Sequence, residues 1–215
     1  MNATLDVPLR GAGGALALSG VLLAISVPFH PTILGSQTVA DVVLETSGWR
    51  AIHIALALAV VLGSFGAAGI VAAHRGSLGR LGNGVLVVTL VGSATTACVA
   101  FMEAFAFPAM ARDAPRLLDL HGPILGSPWA VMAAPAAGFP VGFAALGVLA
   151  ARAGAYPRAG LALAATALAF TVGEGLFVPV LGVGSTLALS AAQMWWGWLL
   201  WHATDAVAPT RRPGW

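Results

Sequence analysis

Two glutamates carry the first hint of chemistry. Glu103 and Glu174 each stand five residues before a proline, Pro108 and Pro179, near the end of a long apolar run. A charged side chain in hydrocarbon costs roughly 3 kcal/mol even on lenient insertion scales, so such a residue should face a cavity, a partner or a ligand. Facing each other, the two carboxyls would form an acid–base pair. Facing a neighbouring helix, they would act as hydrogen-bonding glue or snorkel to the headgroups. Three histidines fall in the same part of the pattern. His30 ends the first apolar run, His53 lies one turn into the second, after Trp49 and Arg50, and His121 precedes the fourth. Three imidazoles with two carboxylates suit zinc, copper or non-haem iron, and two of the imidazoles could clamp a b-type haem. No HxxxH or HxxE spacing accompanies them, and each histidine alone also reads as an interfacial side chain.

Other residues bear on binding or packing. Trp195, Trp198 and His202 share a face of the last run, which fits a flat apolar ligand or, more simply, an aromatic belt at the membrane boundary. Gly63, Gly66 and Gly69 offer small faces for close helix contact. Ser93, Thr95 and Thr96 could bond a ligand or their own backbone. Cys98 reads as a small buried hydrophobe.

The composition excludes several chemistries. All ten basic residues are arginine, so there is no lysine for a retinal or pyridoxal Schiff base or for a P-loop. A single cysteine excludes an intrachain disulfide, a covalent c-type haem and a cysteine-held iron–sulfur cluster. A net charge of +2 gives no basic surface for nucleic acid.

These residues must be positioned by membrane helices. Of the 215 residues, 59% are hydrophobic and 8% charged, whereas a soluble domain is about 45–50% apolar and about 25% charged. Lipid admits only helices and closed barrels, and no alternating strands occur, so the expected fold is an all-α, polytopic integral membrane bundle in a single domain over 1–215. A span takes about 20 residues. Six stretches qualify, about 12–29, 51–73, 84–106, 129–151, 159–181 and 184–203. The first resembles a signal sequence only in part: Asp6 accompanies Arg10, and Pro28–Phe29–His30–Pro31 is a poor cleavage site, so a retained helix is expected.

Arginine placement predicts both termini in the cytoplasm. Arg10, Arg75, Arg80, Arg152, Arg158, Arg211 and Arg212 would lie inside, against Arg50, Arg112 and Arg116 outside. The Glu/His cluster would then face outward. Two connections on that side are long. In the first, Thr38 and Asp41 form a capping box for a short interfacial helix with Val39, Val42 and Val43 on one face. In the second, Leu117, Leu118 and His121 fall at helical spacing before a Gly-Pro break, which reads as an interfacial helix or, alternatively, a shallow re-entrant segment.

An internal repeat is expected. Residues 71–82 (VAAHRGSLGRLG) align with 149–160 (LAARAGAYPRAG), matching Arg80 to Arg158, Gly82 to Gly160 and, upstream, Gly69 to Gly147. Units of about 49–108 and 127–179 would be parallel copies, helices 2–3 and 4–5 of the six. The glutamates, each five residues before its proline, come into register only if the alignment carries a seven-residue gap.

Four functions fit. The first is a binding or redox protein whose Glu/His cluster (His30, His53, His121, Glu103, Glu174) holds a metal ion or haem. The second is a small proton-coupled transporter using Glu103 and Glu174. The third is an acid–base enzyme acting on a lipid-like or isoprenoid substrate through the same carboxyls. The fourth is a structural subunit of a membrane complex. The expected partners are the bilayer, an unidentified small ligand and, for an oligomer or complex, other subunits. The arginine-only, Ala- and Gly-rich usage points to a bacterial inner membrane.

Overall fold

In a computed structural model, residues 6–31, 37–154, 156–175 and 179–203 are described; within them, the side chains of 6–8, 127, 129, 130, 174, 175, 179 and 180 are not. The described residues form helices and turns with no strand. The helices are α1 (Asp6–Ser26), α2 (Val39–Glu45), α3 (Trp49–Ala73), α4 (Arg75–Phe105), α5 (Phe107–Asp113), α6 (Ser127–Ala136), α7 (Gly138–Arg152), α8 (Pro157–Gly175) and α9 (Pro179–Ala203). Short 3₁₀ turns cover Val27–Phe29 and Pro115–Leu118.

Six of these close a ring in the order α1, α3, α4, α7, α8, α9, with α9 packed back on α1. Each is antiparallel to its ring neighbours. Gly13 and Gly20 of α1 meet Gly197 and Ser190 of α9, and Gly66 and Gly69 of α3 meet Leu16 and Ala12 of α1. The small-residue face expected on the second run therefore carries a helix contact. Gly147 and Gly160 do the same between α7 and α8, where a methyl on Gly147 would sit 2.5 Å from the Gly160 carbonyl oxygen. In lipid, where apolar surface gains little from leaving the solvent, such backbone proximity is what holds helices together.

Among the described residues, four stretches are long and apolar enough to cross a membrane: Leu9–Phe29, Trp49–Ala73, Arg75–Phe105 and Val131–Arg152, with Pro157–Gly173 a shorter apolar helix. Six spans were expected. The fifth run, expected over 159–181, forms a helix only to Gly175 before residues 176–178, which lie outside the described part. α9, with 25 residues, is not among these four stretches. The fourth run is two helices, α6 and α7, joined at Ala137 just after Pro135. α4 starts earlier than expected, with a non-helical Gly79 at φ 55 separating its first turn from the rest.

The beginning of α1, the end of α9, and the α3–α4 and α7–α8 turns share one end of the ring, here the turn end. The other, the cap end, carries α2 and α5. The capping box is present: Asp41 N–H donates to the Thr38 hydroxyl at 3.1 Å and Thr38 N–H to the Asp41 carboxylate at 3.0 Å. Val39, Val42 and Val43 are not an exposed apolar face, however. They pack with Phe107, Ala111, Leu118 and Trp49 into a second core above the ring. Gly48, at φ 90, lets the chain turn from this cap directly into α3. The helix expected through His121 is only the 3₁₀ turn Pro115–Leu118, since Pro115 and the following Gly122–Pro123 allow no longer run. Cys98 is exposed on the outer face of the ring, not buried as its apolar neighbours implied.

The repeat-matched glycines have unlike partners. Gly69 packs on α1 and Gly147 on α8, while Gly82 lies against Leu78 of its own helix and Gly160 against α7.

Candidate functional site

The first turn of α3 and the last turns of α4 meet at the cap end. Trp49 is nearly buried, and its indole N–H donates to the Glu103 carbonyl oxygen at 2.6 Å. Arg50 donates to the Ala104 carbonyl oxygen at 3.4 Å and lies over the Phe105 ring at 5.6 Å. These contacts pin the two helix ends in one register. His53 is one turn further along α3, on the face of Trp49, and is fully buried.

His53 is oriented by its own helix. Its Nδ1 lies 2.7 Å from the Trp49 carbonyl oxygen, the i−4 acceptor, so in the neutral ring that nitrogen carries the proton and donates. Nε2 is then left as a lone-pair acceptor. It faces Glu103 Oε2 at 3.5 Å, within ion-pair range but beyond hydrogen-bond geometry, and no other partner reaches it. Glu103 keeps 16% of its side chain exposed. The pair therefore combines a sealed imidazole with a carboxyl that still has an opening.

His30 completes the aromatic surround. Its ring meets His53 edge-on at 5.0 Å between centroids, and Trp49 lies 4.2 Å from His53 on centroids. His30 is itself exposed, with Nδ1 3.1 Å from the Pro31 carbonyl oxygen. Because the two imidazoles touch each other directly, they do not flank a porphyrin.

Of the five residues singled out from the sequence, three meet here: His30, His53 and Glu103. His121 is exposed in the turn after Pro115–Leu118, and among the described residues no ring contact or ion pair joins it to the other three. The Glu174 side chain lies outside the described part; its backbone is in the last turn of α8, at the cap end, with α7 between that helix and α4. Among the described residues no group of three His, Cys, Asp or Glu is arranged to hold a metal ion.

Two further residues join the buried polar framework. Trp49 stands i, i+4 to His53, a spacing that places both on one face of α3. Gln193 completes a stripe of Thr186, Ser190 and Gln193 at i, i+4 and i+7 that is buried throughout. Trp195, Trp198 and Trp201 point outward, as a belt would, while Trp196 is buried and donates to the Ala159 carbonyl oxygen at 2.9 Å. Thr95 and Thr96 bond their own helix backbone at Val91 and Gly92. Ser93 does not, and its buried hydroxyl has no partner.

Grooves of about 280 Å³, between α1 and α9, and about 400 Å³, between α1 and α3, open at the turn end, away from the pair. The chain matches no protein-family model, no curated protein and no solved structure.

Proposed function

We propose that the chain is a small proton-coupled membrane transporter in which His53 and Glu103 form the proton-exchanging pair. One observation carries this reading: a fully buried imidazole, its Nδ1 committed to the Trp49 carbonyl, presents a bare Nε2 to a carboxyl oxygen 3.5 Å away. A protonated Glu103 needs to close that gap by only about half an ångström to reach hydrogen-bond distance. Its O–H bond then breaks as the N–H bond forms at Nε2, leaving carboxylate beside imidazolium. The reverse step returns the proton to the side chain with the opening. Proton exchange needs just these two groups, whereas a metal centre needs a third ligand; that difference favours transport over the metal and haem readings. Nothing favours a lipid-like substrate or a purely structural role.

The same reading assigns Glu174, at the same end of the ring, as the second carboxylate of the cycle. It takes all six ring helices as spans of a bacterial inner membrane with both termini cytoplasmic. Arg75, Arg80, Arg152 and Arg158 at the turn end, against Arg50, Arg112 and Arg116 at the cap end, support that orientation.

Infrared difference spectra of the reconstituted protein, recorded across a pH titration, test the pair. A carboxylic C=O band that titrates in the wild type should disappear in Glu103→Gln and move in His53→Asn. Proteoliposomes with a trapped pH dye should dissipate an imposed acid step faster than empty vesicles, and Glu103→Gln should fall back to the empty-vesicle rate. A wild type with no titrating band, or a band and a rate unaffected by Glu103→Gln, overturns the reading.

A further inference from the structure

Gln193 lies at mid-length of α9 and is fully buried. Its Oε1 lies 3.1 Å from the Ser19 hydroxyl, whose one proton goes to the nearer Ala59 carbonyl oxygen at 2.7 Å. Its Nε2, with two N–H donors, has no partner. An amide donor left unpaired away from water costs about 1–3 kcal/mol, so a buried one calls for an explanation such as bound water. Ser93 of α4, 2% exposed, is a second orphan in the same middle portion. Ala59 is about 9 Å along α3 from His53, and Ser93 about 15 Å along α4 from Glu103.

The hydroxyls near Gln193 are not scattered. On α9, Thr186, Ser190 and Gln193 share one buried face. On α1, Ser19 and Ser26 are buried two turns apart, and His30 follows at the same phase. The helices are antiparallel, with Gly20 against Ser190, so both stripes start at mid-depth and run toward the cap end. Thr186, Ser190 and Ser26 each donate to a carbonyl of their own helix. Each keeps lone pairs free to accept from a further donor. Toward the turn end the α1 face continues as Leu16, Ala12 and Gly13, with no polar side chain.

We propose that Ser19, Ser93 and Gln193 bind internal water at mid-depth, and that the two hydroxyl stripes form a hydrated half-channel from this site to the His53–Glu103 pair. The proposal rests on the proton-exchange reading for its purpose, but the water site stands on its own geometry. Water is the ligand that fits: Gln193 offers donors, Ser93 offers both a donor and an acceptor, and among the described residues no charged group faces the site to hold an ion. Buried waters typically make about three such bonds. The Phe139 and Phe143 rings lie beside it, both within 4 Å of the point where a Gly63 Cβ would lie, as is Ser19 Oγ. They are the reporters.

Radiolytic hydroxyl labelling of the reconstituted protein, read by mass spectrometry, is the test, because radicals formed from a bound water modify the ring next to it. Phe139 and Phe143 should label despite full burial. Gln193→Met keeps the volume and removes the orphaned amide, so it should fold as well as wild type while labelling at both rings falls several-fold. Ser93→Ala, on a different helix, should reduce it as well. Unlabelled rings in the wild type, or labelling unchanged in both variants, overturns the water site. The infrared band of Glu103 decides the pair independently. A titrating band with unlabelled rings leaves the pair and removes the half-channel; labelled rings without the band do the reverse.

Discussion

The two ends of the ring are built from the same kind of helix and differ in what closes them. At the turn end, α3 passes into α4 at His74, and α7 into α8 over residues 153–156. His74, Tyr156 and Trp196 form a triangle of rings 5.9–6.2 Å apart on centroids. Tyr156 is held there at φ 52, unusual for a residue with a side chain. At the cap end, two longer connections fold back as α2 and α5 and build a second core over Trp49. Both ends hold an imidazole, fully buried at His53 and half-buried at His74, whose Nε2 has no hydrogen bond. Among the described residues, only at the cap end does that nitrogen face a carboxyl, and only there do polar stripes lead inward. On the proposed reading, the comparison teaches that a histidine would become a proton site through the group set opposite it, with the cap holding that group in register.

The sharpest way to break the comparison is Trp49→Ala. It removes a large buried ring, the indole bond to the Glu103 carbonyl and the centre of the second core, and should cost about 3–5 kcal/mol. Hydrogen exchange should rise in α2, α5 and the ends of α3 and α4 while the turn end stays protected. Equal loosening at both ends would show that the cap is not a separate unit.

Trp196→Phe is the counterpart at the turn end. It keeps an aromatic ring but loses the bond to Ala159, so about 1–2 kcal/mol should be lost. The titrating band of Glu103 should be unchanged, and a shifted band would couple the two ends.

Thr38→Ala removes the cap of α2 and should cost about 1 kcal/mol. Hydrogen bonds from the Thr38 hydroxyl and N–H hold the Asp41 carboxyl below its ordinary 3.8. This stabilisation is complete above 3.8 and disappears as pH falls through the lowered folded-state value. Acid should therefore loosen α2 in the wild type, seen as faster proteolysis within 38–45, and Thr38→Ala should already be loose at neutral pH.

The smallest effect belongs to His74, which lies between the two spans. Burial holds its imidazole below the ordinary 6.5. Between the folded value and 6.5 the unfolded chain binds more proton than the folded one, so stability rises with pH across that interval and is level above it. His74→Phe keeps the ring contacts with Tyr156 and Trp196 and should flatten the profile. A profile that keeps its slope assigns the titration to another group.

Composition alone determined that the chain is helical and belongs in lipid, since so little charge and so much apolar surface leave no other stable arrangement. The capping box was legible because its partners, Thr38 and Asp41, are three residues apart, and the proximity of His53 to Trp49 because helical spacing is local. The pairing of His53 with Glu103 was only half legible: helix direction put them at one end, but which faces met depended on the register of α3 against α4. That register is set by Trp49 and Arg50 reaching the carbonyls of Glu103 and Ala104, 54 positions away. The exclusion of His121 was likewise beyond the pattern, because a connection rich in proline and glycine carries no periodicity from which to place it. Gln193 shows the same division. Its stripe was written in the spacing of α9, but whether that stripe faced lipid or the interior was decided by α1, whose glycines let the two backbones approach. Local rules select the elements and their faces; only the packing of helices distant in sequence decides which faces meet.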